Sequence, residues 1–154
     1  MRSGVRLGID VGKARIGLAK SDASGSLAVP IATISARVNP VLEVLKYLGA
    51  FDVMEVVIGL PMNLQNQPTP STQMAKDFAE QLAEATTIPI RLLDERFSTV
   101  TAQAQLHQAG RNAKNSRSVI DQAAAVIILQ TALDQERQHG TIPGSLVENG
   151  ESDT

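Results

Sequence analysis

Read for hydrophobic period, the chain falls into two regimes. Val5–Val11 is an apolar run that reads as a β-strand, and Gly12-Lys13 turns it back. Arg15–Ser21 reads as a second strand, Ser24-Gly25-Ser26 as another turn, and Leu27–Ile34 as a third strand, with Pro30 marking it as an edge. The period then changes. Asn39-Pro40 has the form of an N-cap followed by a first-turn proline, and Val41, Leu42, Val44, Leu45 and Leu48 recur at helical spacing. Glu55–Leu60 is a short apolar run suited to a buried parallel strand. A loop over Pro61–Pro68 leads to Thr69-Pro70, which starts a helix carrying Met74, Phe78 and Leu82 on one face. Ile88–Asp94 reads as a fifth strand, and Ser98–Ala109 as a third helix stopped by Gly110. After a polar loop over Arg111–Arg117, a last helix runs from Ser118 to Gln138 with Ile120, Ala124, Ile127 and Ile128 on one face.

The order is βββαβαβαα, an α/β fold. Two right-handed crossovers would make strands one, four and five parallel, with the antiparallel meander beyond them, giving a five-stranded mixed sheet flanked by helices. One domain over residues 1–139 accounts for the elements. Residues 140–154, with Gly140, Pro143, Gly144 and Gly150, read as a disordered tail. Ligands of open sheets bind outside the carboxyl ends of the parallel strands. Asp10, Asn63 and Glu95 each lie at or just past such an end and would face the same edge.

Composition narrows the chemistry. With no cysteine and only two histidines in 154 residues, disulfides and Cys-based zinc sites are excluded and a His-rich site is disfavoured. A metal would be held by oxygen, which suits Mg²⁺ or Mn²⁺. Aromatics are 3% of the chain, which argues against base stacking on exposed rings. The N-terminus lacks the apolar segment of a signal peptide and no run is long enough to span a membrane, so the expected compartment is the cytoplasm.

The net charge of −2 speaks against nucleic acid until its distribution is considered. Thr141–Thr154 holds three acids and no base, and the remainder carries 14 bases against 13 acids. Arg96 to Ile120 contains Arg96, Arg111, Lys114 and Arg117 and no acid. Arg2, Arg6, Lys13, Arg15 and Lys20 form a second basic set in the sequence around Asp10. These are either scattered solvated charges or two basic stretches flanking a site.

Three acids are the candidates for that site. Asp10, before Gly12, is either a ligand or a cap for its own turn. Asp94 and Glu95 point to opposite faces, so only one can aim inward, and Glu95 at the strand exit is preferred. Asp121 follows Ser118 at capping-box spacing, so a helix cap explains it as well as a ligand does. Carboxylates that bridge two metals would serve an in-line displacement at phosphorus without a histidine base or serine triad. Lys13 and Arg15 would hold phosphates. Asn63 would position water, metal or backbone, or else only shape its loop.

The segments GIDVGKARIGLA, VVIGLPMNLQNQ, LLDERFSTVTAQ and SVIDQAAAVIILQTAL, in this order, resemble the four motifs of the bacterial YqgF/RuvX family. The resemblance covers about Arg6 to Leu133. It implies an RNase H-like fold and a nuclease with Asp10, Glu95 and Asp121 as catalytic and metal-binding acids. It implies maturation of the 5′ end of 16S ribosomal RNA, with Holliday junction resolution as the alternative. One departure is Asn66-Gln67-Pro68 where the family usually has a glycine soon after the asparagine. The expected partner is structured nucleic acid, bound by a monomer or homodimer. A non-catalytic, RNA-binding ribosome-assembly factor is the remaining alternative. An actin-like ATPase would need two such domains, for which the chain has no room.

Overall fold

The structure, a computed structural model, describes residues 1–95 and 117–147. The sheet is built from β1 (Val5–Val11), β2 (Arg15–Ser21), β3 (Ala28–Ser35), β4 (Val53–Leu60), β5 (Ile90–Asp94) and β6 (Ser145–Leu146) in the spatial order β3-β2-β1-β4-β5-β6. The meander is antiparallel, and β1, β4 and β5 are parallel, as the crossover rule requires. The expected five strands become six. Ser145–Leu146, within the segment read as a tail, pairs antiparallel with Arg91–Leu92 and so extends the sheet beyond β5. The helix expected over Ser98–Ala109 and the tail beyond residue 147 lie outside the described residues.

Strand parity divides the core into two layers. Leu7, Ile9, Ile16, Leu18, Val56, Ile58 and Ile90 face α1 (Pro40–Ala50) and α2 (Pro70–Ala85), where Val44, Leu48, Phe78 and Leu82 complete the larger cluster. On the opposite face Ala19, Val57 and Leu93 pack under α3 (Arg117–His139) through Ala125, Ile128, Leu129, Ala132 and Leu133. The apolar face of α3 is therefore centred on Ala125 and Leu129, rotated from the expected Ile120–Ala124 line. Both of those residues are only half-buried.

The helix starts differ in mechanism. Thr69 and Thr72 form a reciprocal capping box at α2, and the Thr72 hydroxyl also donates to the Pro61 carbonyl, tying the loop after β4 to the helix. Asn39 stands at the N-cap of α1 in left-handed geometry (φ 47°) without a side-chain cap, so the start of α1 rests on Pro40 and the backbone. In the loop after β4, Asn66 takes φ 61°. Asparagine tolerates the left-handed region, so it supplies here the conformation for which a glycine was expected.

At the amino-terminal end of the parallel strands lies an ionic cluster. Arg2 pairs with Glu55 at 2.9 Å and with Glu136 at 2.6 Å, Arg6 with Glu136 at 3.1 Å, and Arg91 with Glu55 at 3.0 Å. Arg6, Glu55 and Glu136 are buried. These pairs join β1, β4 and β5 to the last turn of α3.

Candidate active site

Asp10 belongs to the α3 face of β1 by strand parity, since Leu7 and Ile9 face the other layer. Its register partner on β2 is Gly17. A Cβ at Gly17 would lie 2.0 Å from the carbonyl oxygen of Asp121, and one at Gly8 would lie 2.6 Å from Leu129 Cβ. No larger residue fits under α3 at these points without moving it. The two glycines therefore let the helix backbone settle onto the sheet, which brings the first turns of α3 beside Asp10. Glu95 follows β5 with the parity of Leu93, again the α3 face. A Cβ at Gly59 would meet its Oε1 at 2.7 Å. Glycine on the central strand β4 thus clears the space that the Glu95 carboxylate occupies.

Asp10 feels both other acids. Asp10 is pushed up from 3.8 to about 7, first by burial and then by the charges of Glu95 and Asp121. Glu95 is also raised, by burial and by neighbouring Asp94. Asp10 thus holds its proton to a far higher pH than an exposed aspartate does. Asp121 accepts a hydrogen bond from Arg15 Nε at 3.0 Å across 106 residues, so its carboxylate is turned toward β2.

Among the described residues no group of three or more His, Cys, Asp or Glu side chains closes far enough to hold a metal ion. The donor set nonetheless fits one in kind. Its members are carboxylates, the ligands of hard divalent cations, and the cost of a charged Asp10, buried and beside two other acids, is what such a cation would relieve.

The other candidates distribute unevenly. Lys13 is exposed at the β1–β2 turn and Arg15 opens β2, both at the acid end. Asn63 Oδ1 accepts from the amides of Gln65 and Gln67, both at 2.9 Å, which is the loop-shaping role. Arg117 begins α3, whereas Arg96, Arg111 and Lys114 lie outside the described residues. Of the basic set around Asp10 in sequence, Arg2 and Arg6 are bound into the ionic cluster at the opposite end of β1. Lys20 stacks 5.0 Å over the Phe51 ring. Only Lys13 and Arg15 of that set flank the acids. Gly17 and Gly59 carry no signal in a single sequence beyond being glycines inside strands, which points to close backbone approach.

Similarity to known proteins bears on this arrangement. A protein of Clavibacter michiganensis named "Putative pre-16S rRNA nuclease" is 51% identical over 150 residues, spanning 96% of this chain and 93% of that protein. A Nocardioides protein of the same name is 48% identical, spanning 96% and 99%. Among solved structures, Thermus thermophilus RuvC in complex with a Holliday junction substrate superposes with a TM-score of 0.63 at 17% identity, over 92% of this chain and 99% of that one. The mixed sheet with its carboxylate edge is thus a RuvC-like fold, and with these relatives the protein is a nuclease, a hydrolase acting on ester bonds. The chain belongs to the RuvX family, whose model, described as Holliday junction resolvase, matches residues 4–135.

Proposed function

We propose that this nuclease is a cytoplasmic, metal-dependent endonuclease acting on structured RNA, with the 5′ end of pre-16S ribosomal RNA as its substrate. The observation that carries the reading is that Asp10, at the carboxyl end of the parallel strands, lies near enough to Glu95 and Asp121 for burial first, and then their charges, to raise it to about 7. A surface that concentrates negative charge where a polyanion must bind needs a cation, and the carboxylates are the groups to hold Mg²⁺ or Mn²⁺. When bound, such cations supply charge stabilisation for an in-line displacement at phosphorus. Asp10 must be ionised to take part, so lowering the pH below about 7 withdraws it as a ligand. Lys13 and Arg15 stand beside the acids to orient phosphates. Arg96, Arg111, Lys114 and Arg117, which the sequence groups without an intervening acid, are further phosphate contacts in this reading, and Asn63 lends its loop to the acid edge. The names of the relatives support RNA as the substrate.

The second reading, cleavage of a four-way DNA junction, is favoured by the family's description. It calls for a dimer so that two nicks fall symmetrically. Incubating the pure protein with precursor rRNA and with a four-way junction, in Mg²⁺ or Mn²⁺, decides between them. Site-specific RNA cleavage that is lost in Asp10→Asn is the expected result. Unchanged cleavage by a folded Asp10→Asn protein would sink the catalytic assignment.

A further inference from the structure

Arg15 stands where a phosphate contact is wanted, yet its guanidinium is engaged with an acid. Its Nε donates to Asp121 Oδ2 at 3.0 Å, and the two side chains are 35% and 21% exposed. The backbone beneath it is fixed, because the Arg15 carbonyl accepts from Gly12 N at 2.9 Å across the β1–β2 turn. The guanidinium therefore approaches Asp121 from a rigid base. The geometry also explains a discrepancy. Asp10, Glu95 and Asp121 are close enough to interact electrostatically, yet no trio of acids among the described residues closes to metal-ligand distance. One of the three is held by an arginine.

We propose that Arg15 is an internal counter-cation that keeps the place of a divalent cation at Asp121, and that the two exchange. The inference rests on the metal-dependent reading above. Arginine stays protonated throughout, so the exchange is a competition between cations for one carboxylate and involves no proton transfer. A partly exposed ion pair is weak, which makes the exchange readily reversible. Once released, the guanidinium presents a planar fork suited to a phosphate. Cation and nucleic acid then each favour the released state of Arg15, so each tightens the binding of the other, and the coupling is reciprocal. Arg15 is in this sense a positioning residue that makes the acids available only as substrate can be held.

The opposite signs in one variant separate this role from a plain phosphate contact. Removing the guanidinium strengthens cation binding while weakening RNA binding, so KM for precursor RNA rises. The test is calorimetric titration of Mn²⁺, without nucleic acid, into the wild type, Arg15→Gln, Arg15→Lys, Lys13→Gln and Asp121→Asn. Arg15→Gln is expected to bind Mn²⁺ about two- to fivefold tighter, the size of a partly exposed pair. Arg15→Lys should stay near the wild type and Asp121→Asn should bind more weakly. Lys13→Gln, which removes a charge from the adjacent turn, should change affinity much less than Arg15→Gln. Wild-type binding with no gain in Arg15→Gln overturns the exchange alone, as does an equal gain in Lys13→Gln. No Mn²⁺ binding by any of the five proteins overturns the exchange together with the metal-dependent reading.

Discussion

Replacing Asp10 by Asn should make the cation-free protein more stable at the pH where it works. An acid whose folded pKa lies above its unfolded one weakens the fold once it ionises. Its penalty is absent below the unfolded value, grows as the pH rises, and reaches full size above the folded value. For Asp10 the window runs from 3.8 to about 7. A displacement of roughly three units at about 1.4 kcal/mol each sets an upper size near 4 kcal/mol, and partial relaxation of the acids leaves about 2–4 kcal/mol. Asn keeps the size and removes the charge. For a domain of this length the gain corresponds to a rise in Tm of about 5–10 °C. Thermal unfolding of both proteins in a chelating buffer, from pH 4 to 8, reads it directly. The two curves should meet near pH 4 and diverge as the pH rises, with Asp10→Asn ahead. Adding Mg²⁺ should then raise the wild type and close the gap. Curves that run parallel, or an Asn variant that is less stable at pH 7.5, would refute the idea that burial beside two other acids makes the Asp10 charge costly.

Gly17→Ala should cost about 1–3 kcal/mol in urea unfolding and lose most of the cleavage rate, because the new methyl displaces the helix segment bearing Asp121. Gly59→Ala meets Ile128 Cδ1 and Glu95 Oε1, the far ends of flexible side chains, so its loss should be smaller in stability than in rate. Glu136→Gln should destabilise by about 3 kcal/mol, since it breaks a buried ion pair with Arg6 and a part-buried one with Arg2. Glu136 is held down to about 2, chiefly by hydrogen bonds from Arg2 working against its burial. The stability it contributes is therefore present at neutral pH and disappears as the pH falls from about 4.5 toward 2, which urea titrations at pH 7 and pH 3 would register. Arg117→Gln should lower the salt dependence of RNA affinity by a little under one unit of log–log slope, and an unchanged slope removes Arg117 from the phosphate track.

The elements were legible because their signals are local. The apolar run of β1, the apolar run of β4 and the Thr69-Pro70 start of α2 each lie within a few residues. The shared edge of Asp10 and Glu95 followed from one rule of handedness. The ionic cluster was not legible for the opposite reason. Arg6 meets Glu136 across 130 residues, and Arg2 reaches Glu55 across 53. Nothing near Arg2 or Arg6 separates a buried partner from a phosphate contact, so both were grouped with Lys13 and Arg15. The available clue was Glu55, a charge opening an otherwise apolar buried strand, which requires a partner somewhere. The face of α3 was legible in part: Ile127 and Ile128 are buried as the spacing predicts, whereas Ile120 and Ala124 are half-buried, because the apolar residues run nearly all round and Gly8 and Gly17 decide where the helix settles. Asp121 remained divided between cap and ligand. Its bond to Arg15 comes from a strand far away in sequence and leaves no trace at the helix start.

The short strand β6 has a consequence for how the molecule meets its own copies. Without it, β5 would end the sheet with a row of open amides and carbonyls. Ser145–Leu146 covers Arg91 and Leu92, and Val147 N donates to the Ile90 carbonyl at 2.8 Å. On the far side the border strand β3 carries exposed Pro30, which has no amide to offer. Both borders are thus less open to a neighbouring strand, β5 by its cover and β3 by its proline. Shortening the chain before Ser145 would reopen one of them to strand exchange and aggregation, even though the acids and the helix that carries Asp121 would be untouched.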